Sequence, residues 1–198
     1  MIRGVDDATL NEELEGALVA ALGEDQVFGD RPELERYETG WRYGAGRARL
    51  VVKPRDHGGV AAAVRICAER GVPVQPAGAN TGLVGASTPD DTGDMVVLSL
   101  ERLSRVVSID DRNGSVEVEG GVLLSQLNEA LAEGGRVFPI DLGADPQIGG
   151  MVATNTGGSR LVRYGDVRAN LLGLRVVLPD GETWSDLRGL RKNNTGLD

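Results

Sequence analysis

The chain has 198 residues, 40% hydrophobic and 26% charged, which is long enough to bury one core or two small ones and too apolar for a disordered polymer. Its formal charge of −9 repels phosphate backbones and sets nucleic acid aside as a partner. One cysteine, Cys67, and one histidine, His57, exclude an internal disulfide and a His/Cys metal cage, and this cysteine usage points to a cytoplasmic location.

Residues 1–27 are acidic and interrupted by charge, unlike a signal peptide, and no run reaches the ~18 apolar residues of a membrane span. Leu10, Leu14, Leu18 and Leu22 recur at helical spacing, with Thr9 and Glu12 as a capping box and Gly23 as the stop, so residues 9–22 read as a helix. Residues 24–49 mix Pro, Gly and charge without a clear period and read as irregular. A strand at 50–53, a helix at 56–70 ended by Gly71 and a strand at 72–75 make a βαβ unit with parallel pairing, and 95–100 is a third strand. Thereafter the pattern changes. Residues 106–109 and 115–119 flank Asn113-Gly114 as a hairpin with a type I′ turn. Leu124, Leu127 and Leu131 mark a helix ended by Gly134, and 172–178 with 182–184 form a second hairpin. The expected class is α+β with two lobes, a small parallel βαβ lobe to about residue 100 and an antiparallel-sheet lobe with flanking helices after it.

Two glycine-rich stretches stand out. The first, PAGANTGLVG at 76–85, follows a strand and contains no Lys or Arg, so inward-turned amides could hold an anion as a nest; a mobile surface loop is the plain alternative. The second runs from FPIDLG at 138–143 to IGGMVATNTGG at 148–158, where small residues in an apolar stretch suit a flat ligand lying against backbone. Two such loops can grip one long ligand. Neither GxGxxG, GxxxxGK[ST] nor GxSxG occurs, which disfavours a Rossmann site, a P-loop and a serine hydrolase. His57 reads as a solvated residue at a helix start, Cys67 as core, and Asp90, Asp91 and Asp94 as a solvated turn.

With these stretches, and with LVRYG at 161–165, LGLRVVLPDG at 172–181 and LRKNNTGLD at 190–198, the chain resembles the FAD-binding domain of the vanillyl-alcohol oxidase and p-cresol methylhydroxylase superfamily, above all the FAD-linked D-2-hydroxyacid dehydrogenases. That resemblance implies a cofactor-binding set of Ala77, Gly78, Ala79, Asn80, Thr81, Gly82, Leu83 and Gly85 at the FAD pyrophosphate. On the flavin and ribityl side it implies Pro139, Leu142, Gly143, Gly149, Gly150, Ala153, Thr154 and Asn155. Ala77, Ala79, Met151 and Leu197 depart from the family pattern, and no His or Cys lies near the loops, so noncovalent FAD is expected.

The resemblance further implies oxidation of a lactate-, 2-hydroxyglutarate- or glycolate-type D-2-hydroxy acid to the 2-oxo acid, with hydride transfer to flavin N5. Its electron acceptor is unassigned. A separate substrate domain is expected after residue 198 to supply the base and substrate clamp, so no catalytic or metal residue is assigned within residues 1–198. The alternatives are a noncatalytic flavin-binding or interaction module, and a sugar or ether-lipid oxidoreductase of the same superfamily.

Overall fold

The computed structural model describes residues 7–190. They fall into two compact units: residues up to Arg102 with the turn 177–182, and residues 103–176 with those from Thr183 onward.

In the first unit, helix α1 (Asp7–Leu22) begins before Thr9, so that residue lies inside the helix and the expected capping box is not formed. Its Leu14 and Leu18 are fully buried and it packs along helix α3 (His57–Glu69). Asp56 caps α3, its carboxylate accepting from the Gly59 amide at 2.8 Å. Strand β1 (Val27–Phe28) pairs antiparallel with β2 (Ala48–Val52). Between them lies helix α2 (Arg31–Glu38), a correction to the irregular reading of residues 24–49. Pro32 opens this helix, where a missing N–H is harmless, and Leu34 and Tyr37, three apart, are buried against β2.

Strands β3 (Val74–Ala77) and β4 (Met95–Ser99) complete the sheet in the order β1-β2-β4-β3. Both β2 and β3 run parallel to β4, so the two strands of the expected βαβ unit are parallel but separated by the later strand. The first glycine stretch is therefore part of the crossover from β3 to β4. Val51, Val97 and Ala77 meet Leu34 and Tyr37 of α2, while Leu50, Val52, Val96 and Leu98 alternate onto the other face and are also buried.

A knot of charge closes the carboxyl end of this sheet. The side chain of Lys53, immediately after β2, is 5% exposed; it pairs with Glu33 of α2 and with Glu101 beyond β4, the latter at 2.8 Å. Tyr37 donates its hydroxyl to the other Glu101 oxygen at 2.8 Å, and the ammonium lies 5.2 Å and 5.3 Å from the centres of the Phe28 and Tyr37 rings. Burial alone would raise the carboxyl pKa values, but the hydrogen bonds from Lys53, with Tyr37 at Glu101 and Arg36 at Glu33, outweigh it and hold both below the usual range. Burial likewise works against the Lys53 charge, and its bonds to Glu101 and Glu33 reverse this to a raised value.

In the second unit, β5 (Val106–Asp110) and β6 (Ser115–Val118) form the expected antiparallel hairpin, but Asp110 pairs with Ser115 across a four-residue loop. Asn113 is not left-handed, so the type I′ turn is replaced by one in which Asp110 accepts from the Arg112 and Asn113 amides at 2.9 and 3.0 Å. Helix α4 (Leu124–Ala132) buries Leu127 and Leu131 against Val106, Val116 and Val118. Short helices α5 (Ile148–Ala153) and α6 (Leu161–Tyr164) follow, then strands β7 (Leu174–Val177) and β8 (Thr183–Asp186). Glu119, 2% exposed, accepts from the Arg105 backbone amide at 2.9 Å and from its guanidinium at 2.7 Å.

Lys53→Met is expected to lower unfolding free energy by roughly 2 to 4 kcal/mol, because it removes the cation shared by two carboxylates and leaves Glu33 only Arg36 and Glu101 only the Tyr37 hydroxyl, Glu101 being partly solvated. The lowered carboxyl pKa values give the native state stability that is fully present above the ordinary Glu value of about 4.3 and lost as pH falls through the lowered values. Urea unfolding at pH 7 and pH 3 measures both: the gap between wild type and variant should shrink at pH 3, and an unchanged gap would place the effect in packing alone.

Candidate functional site

The first glycine stretch leaves β3 at Ala77, whose methyl is buried among Leu34, Tyr37, Val51 and Val97. The Ala77 side chain thus belongs to the core, and only its backbone is left for a ligand. Beyond it the loop is shaped by Asn80, left-handed at φ 55°. Its amide nitrogen donates to the Thr39 carbonyl at 2.7 Å and its oxygen accepts from Ser87 Oγ at 2.7 Å. Both polar ends of Asn80 are thus engaged by the chain itself, and its role is to hold the loop's curvature rather than to supply a free polar group. Gly85 (φ 70°) lies against Gly44 (φ 89°): a Cβ on Gly44 would come within 2.9 Å of the Gly85 Cα, so neither position admits a side chain.

What stays open is the stretch 78–83. The amides of residues 79–83 donate to no acceptor among the described residues, the Thr81 hydroxyl has no partner there, and a Cβ on Gly82 would meet open space. Unspent N–H groups at the carboxyl end of a parallel strand can serve a diphosphate as a nest even though the loop itself contains no cation. In this observation the residues present fit an anionic dinucleotide.

The second stretch sorts the same way within its own unit. Gly149 donates to the Gly120 carbonyl at 2.7 Å, and a Cβ there would lie 2.9 Å from that oxygen, so backbone packing requires its small size. Asn155, left-handed at φ 47°, donates to Asp166 Oδ2 at 2.9 Å and accepts from the Arg168 amide at 2.9 Å. The Ala169 amide and Asn155 hold Asp166 below the usual carboxylate range. Thr154 Oγ1 bonds to the Gly150 carbonyl at 3.0 Å and to Thr156 Oγ1 at 2.9 Å. Met151, a departure from the family pattern, is buried with Leu124, Ile140 and Val167. Leu142 packs on that cluster and Pro139 is half-buried, while Gly143 and Gly150 face open space and Ala153 is exposed. Thr39, Ser87 and Asp166 are the residues that sequence reasoning missed. Ser87 and Asp166 had only their nearness to the glycine stretches as a signal, and Thr39, 41 residues from its partner Asn80, had none.

Cys67 is buried in α3, and desolvation pushes its thiol up to about 11; His57 is the first residue of the same helix. No group of three potential metal ligands occurs among the described residues, and no described helix is long and apolar enough to cross a membrane. The KNNTG motif and Leu197 lie outside the described residues.

Residues 48–186 match the model of the FAD binding domain family, and the chain belongs to that family. Among curated relatives it is similar to the mitochondrial D-2-hydroxyglutarate dehydrogenase of Bos taurus, 42% identical over 176 residues, covering 87% of this chain and 32% of that protein. It is also similar to a putative mitochondrial D-lactate dehydrogenase of Schizosaccharomyces pombe, 38% identical, covering 93% of this chain and 35% of that one. The chain thus spans about a third of the length of these relatives. In fold it matches an alkyldihydroxyacetonephosphate synthase (TM-score 0.81, 24% identity, 90% of this chain and 36% of the other). It matches p-cresol methylhydroxylase likewise (TM-score 0.67, 22% identity, 97% and 38%). These matches show that the chain shares its α+β fold with both structures. The cytoplasmic expectation is corrected: the Bos taurus, Schizosaccharomyces pombe and Arabidopsis thaliana relatives are all named as mitochondrial, and a lone reduced cysteine fits that compartment as well.

Five variants separate residues that shape the loops from residues that face outward. Asn80→Ala should lower the melting temperature of the FAD-free chain, since it removes two hydrogen bonds and disfavours φ 55°, whereas Thr81→Ala should leave melting unchanged and weaken FAD binding about tenfold. Gly82→Val and Gly150→Val should keep the fold and lose FAD, while Gly44→Val should destabilise the fold itself. Calorimetry and FAD titration on the same samples read both quantities.

Proposed function

We propose that this chain is the cofactor-holding part of a flavoenzyme that oxidises a D-2-hydroxy acid to the 2-oxo acid, with FAD bound noncovalently. The observation that carries the reading is the run of unspent amides at 79–83 beside the free Thr81 hydroxyl, at the carboxyl end of β3. The names of the Bos taurus and Schizosaccharomyces pombe relatives support the substrate class. Bound FAD would supply the two-electron oxidation that no side chain can perform.

The chain's own residues have the binding tasks. Gly78, Ala79, Thr81 and Gly82 turn N–H groups and one hydroxyl to the pyrophosphate, with Leu83 at the loop's outer edge. Gly143, Gly150 and Ala153 leave backbone accessible to the flavin and ribityl side, with Pro139 and Leu142 as its apolar support. Noncovalent attachment is supported by the position of Cys67 and His57, both on α3 and outside both glycine stretches, with the thiol protonated and buried.

FAD titrated into the chain should give a yellow complex whose flavin is released completely by acid or heat, leaving colourless protein. The loaded chain, mixed anaerobically with D-2-hydroxyglutarate, D-lactate or glycolate, should keep its oxidised flavin band, because its one histidine is placed on α3 and not in a glycine stretch. A colourless chain indifferent to FAD overturns the cofactor reading. Bleaching by a D-2-hydroxy acid that disappears in His57→Ala overturns the assignment of His57 as a bystander.

A further inference from the structure

We infer that the turn at residues 40–44, Gly-Trp-Arg-Tyr-Gly, is a second wall of the glycine-loop site, with Arg42 as the cation for the dinucleotide's diphosphate and Trp41 as an aromatic surface for one of its rings. This rests on the reading of residues 78–83 as a pyrophosphate nest and adds residues that neither the motif nor the relatives assign.

The first support is mechanical. The turn closes on itself through the Gly40 amide and the Gly44 carbonyl at 2.8 Å, and Thr39 bridges to Ala45. It is joined to the nest twice, by the 2.7 Å bond from Asn80 to the Thr39 carbonyl and by the side-chain-free contact of Gly44 with Gly85. Turn and loop therefore hold one another in position within the first unit.

The second is electrostatic. Arg31, Arg36, Arg49, Arg55 and Arg102 of this unit each lie within ion-pair distance of a carboxylate. Arg42, like Arg47 and Arg65, has no carboxylate within ion-pair distance among the described residues, and of these three it alone lies on the turn joined to the nest; its guanidinium lies 5.7 Å from the Tyr43 ring centre. On a chain of net charge −9 whose nest contains no cation, an unpaired guanidinium on a turn joined to that nest would steer and hold a dianionic diphosphate in a forked geometry that a lone amide nest lacks.

The third is apolar. Among the described residues of the first unit the exposed large hydrophobic side chains are Trp41 (79%), Tyr43, Leu83 and Val84 (80%), and all four lie on the turn or on the loop tied to it. Such a grouping beside a nest fits a ligand that joins flat rings to a charged linker.

The test is FAD titration of the whole chain, followed by tryptophan emission and by affinity at several salt concentrations. Wild type should show quenched emission, and Trp41→Phe should lose most of that quenching although Trp184 remains. Arg42→Gln should weaken FAD and ADP about tenfold and flatten the salt dependence, Arg42→Lys should restore part of both, and none of these exposed-site variants should change melting without ligand. Full quenching in Trp41→Phe together with unchanged affinity in Arg42→Gln, in a chain whose FAD binding is still lost by Gly82→Val, overturns this inference alone. A wild-type chain that binds neither FAD nor ADP overturns the nest reading and this inference with it.

Discussion

The first unit depends on a lysine that has been taken out of water. A lysine whose side chain is only 5% exposed is tolerable only if carboxylates and polarisable ring faces replace the hydration of its ammonium, and Lys53 has Glu33, Glu101, Phe28 and Tyr37 around it. Those partners come from α2, from the segment after β4 and from β1, so one charge fixes three elements against the end of β2. Each partner removed leaves the remaining charges less well compensated than they would be in water, which makes the arrangement close to all-or-none.

The consequence for the site runs through α2. Once Glu33 and Tyr37 are anchored, Glu38 at the end of the helix is buried, accepting from the Ala48 amide at 3.0 Å and from the Arg31 guanidinium at 2.8 Å. The next residue is Thr39, whose carbonyl receives Asn80. The curvature of the glycine loop is thus tied to a helix of only eight residues, itself placed by the charge cluster around Lys53. A loop held this way can leave its amides unspent for a ligand without collapsing onto itself, because its shape does not depend on those amides.

Adjacent small residues have unlike tasks. Gly149 is small because the Gly120 backbone occupies the space a side chain would need, while its neighbour Gly150 faces nothing. The two asparagines of the glycine stretches are the only left-handed non-glycine residues described, and both spend their side chains on their own unit. Polarity beside glycine in a sequence therefore marks loop construction as readily as ligand contact.

Some features were legible in the sequence because they are local. The buried run of β2, the Asp56-capped stripe of α3, the Leu124/Leu127/Leu131 spacing of α4 and the ordered family motifs all declare themselves within a dozen residues or so. Helix α2 was missed because its apolar stripe is two residues long in a segment dominated by charge, and its stability comes from Lys53 and from β2 rather than from propensity. The insertion of β4 between β2 and β3, and the engagement of Asn80 by Thr39 and Ser87, were decided by tertiary structure alone. Residue order records which side chains seek burial and which backbone positions can turn; which distant carbonyl or carboxylate then completes a hydrogen bond depends on where the sheet brings the chain back, and that is settled only when the core closes.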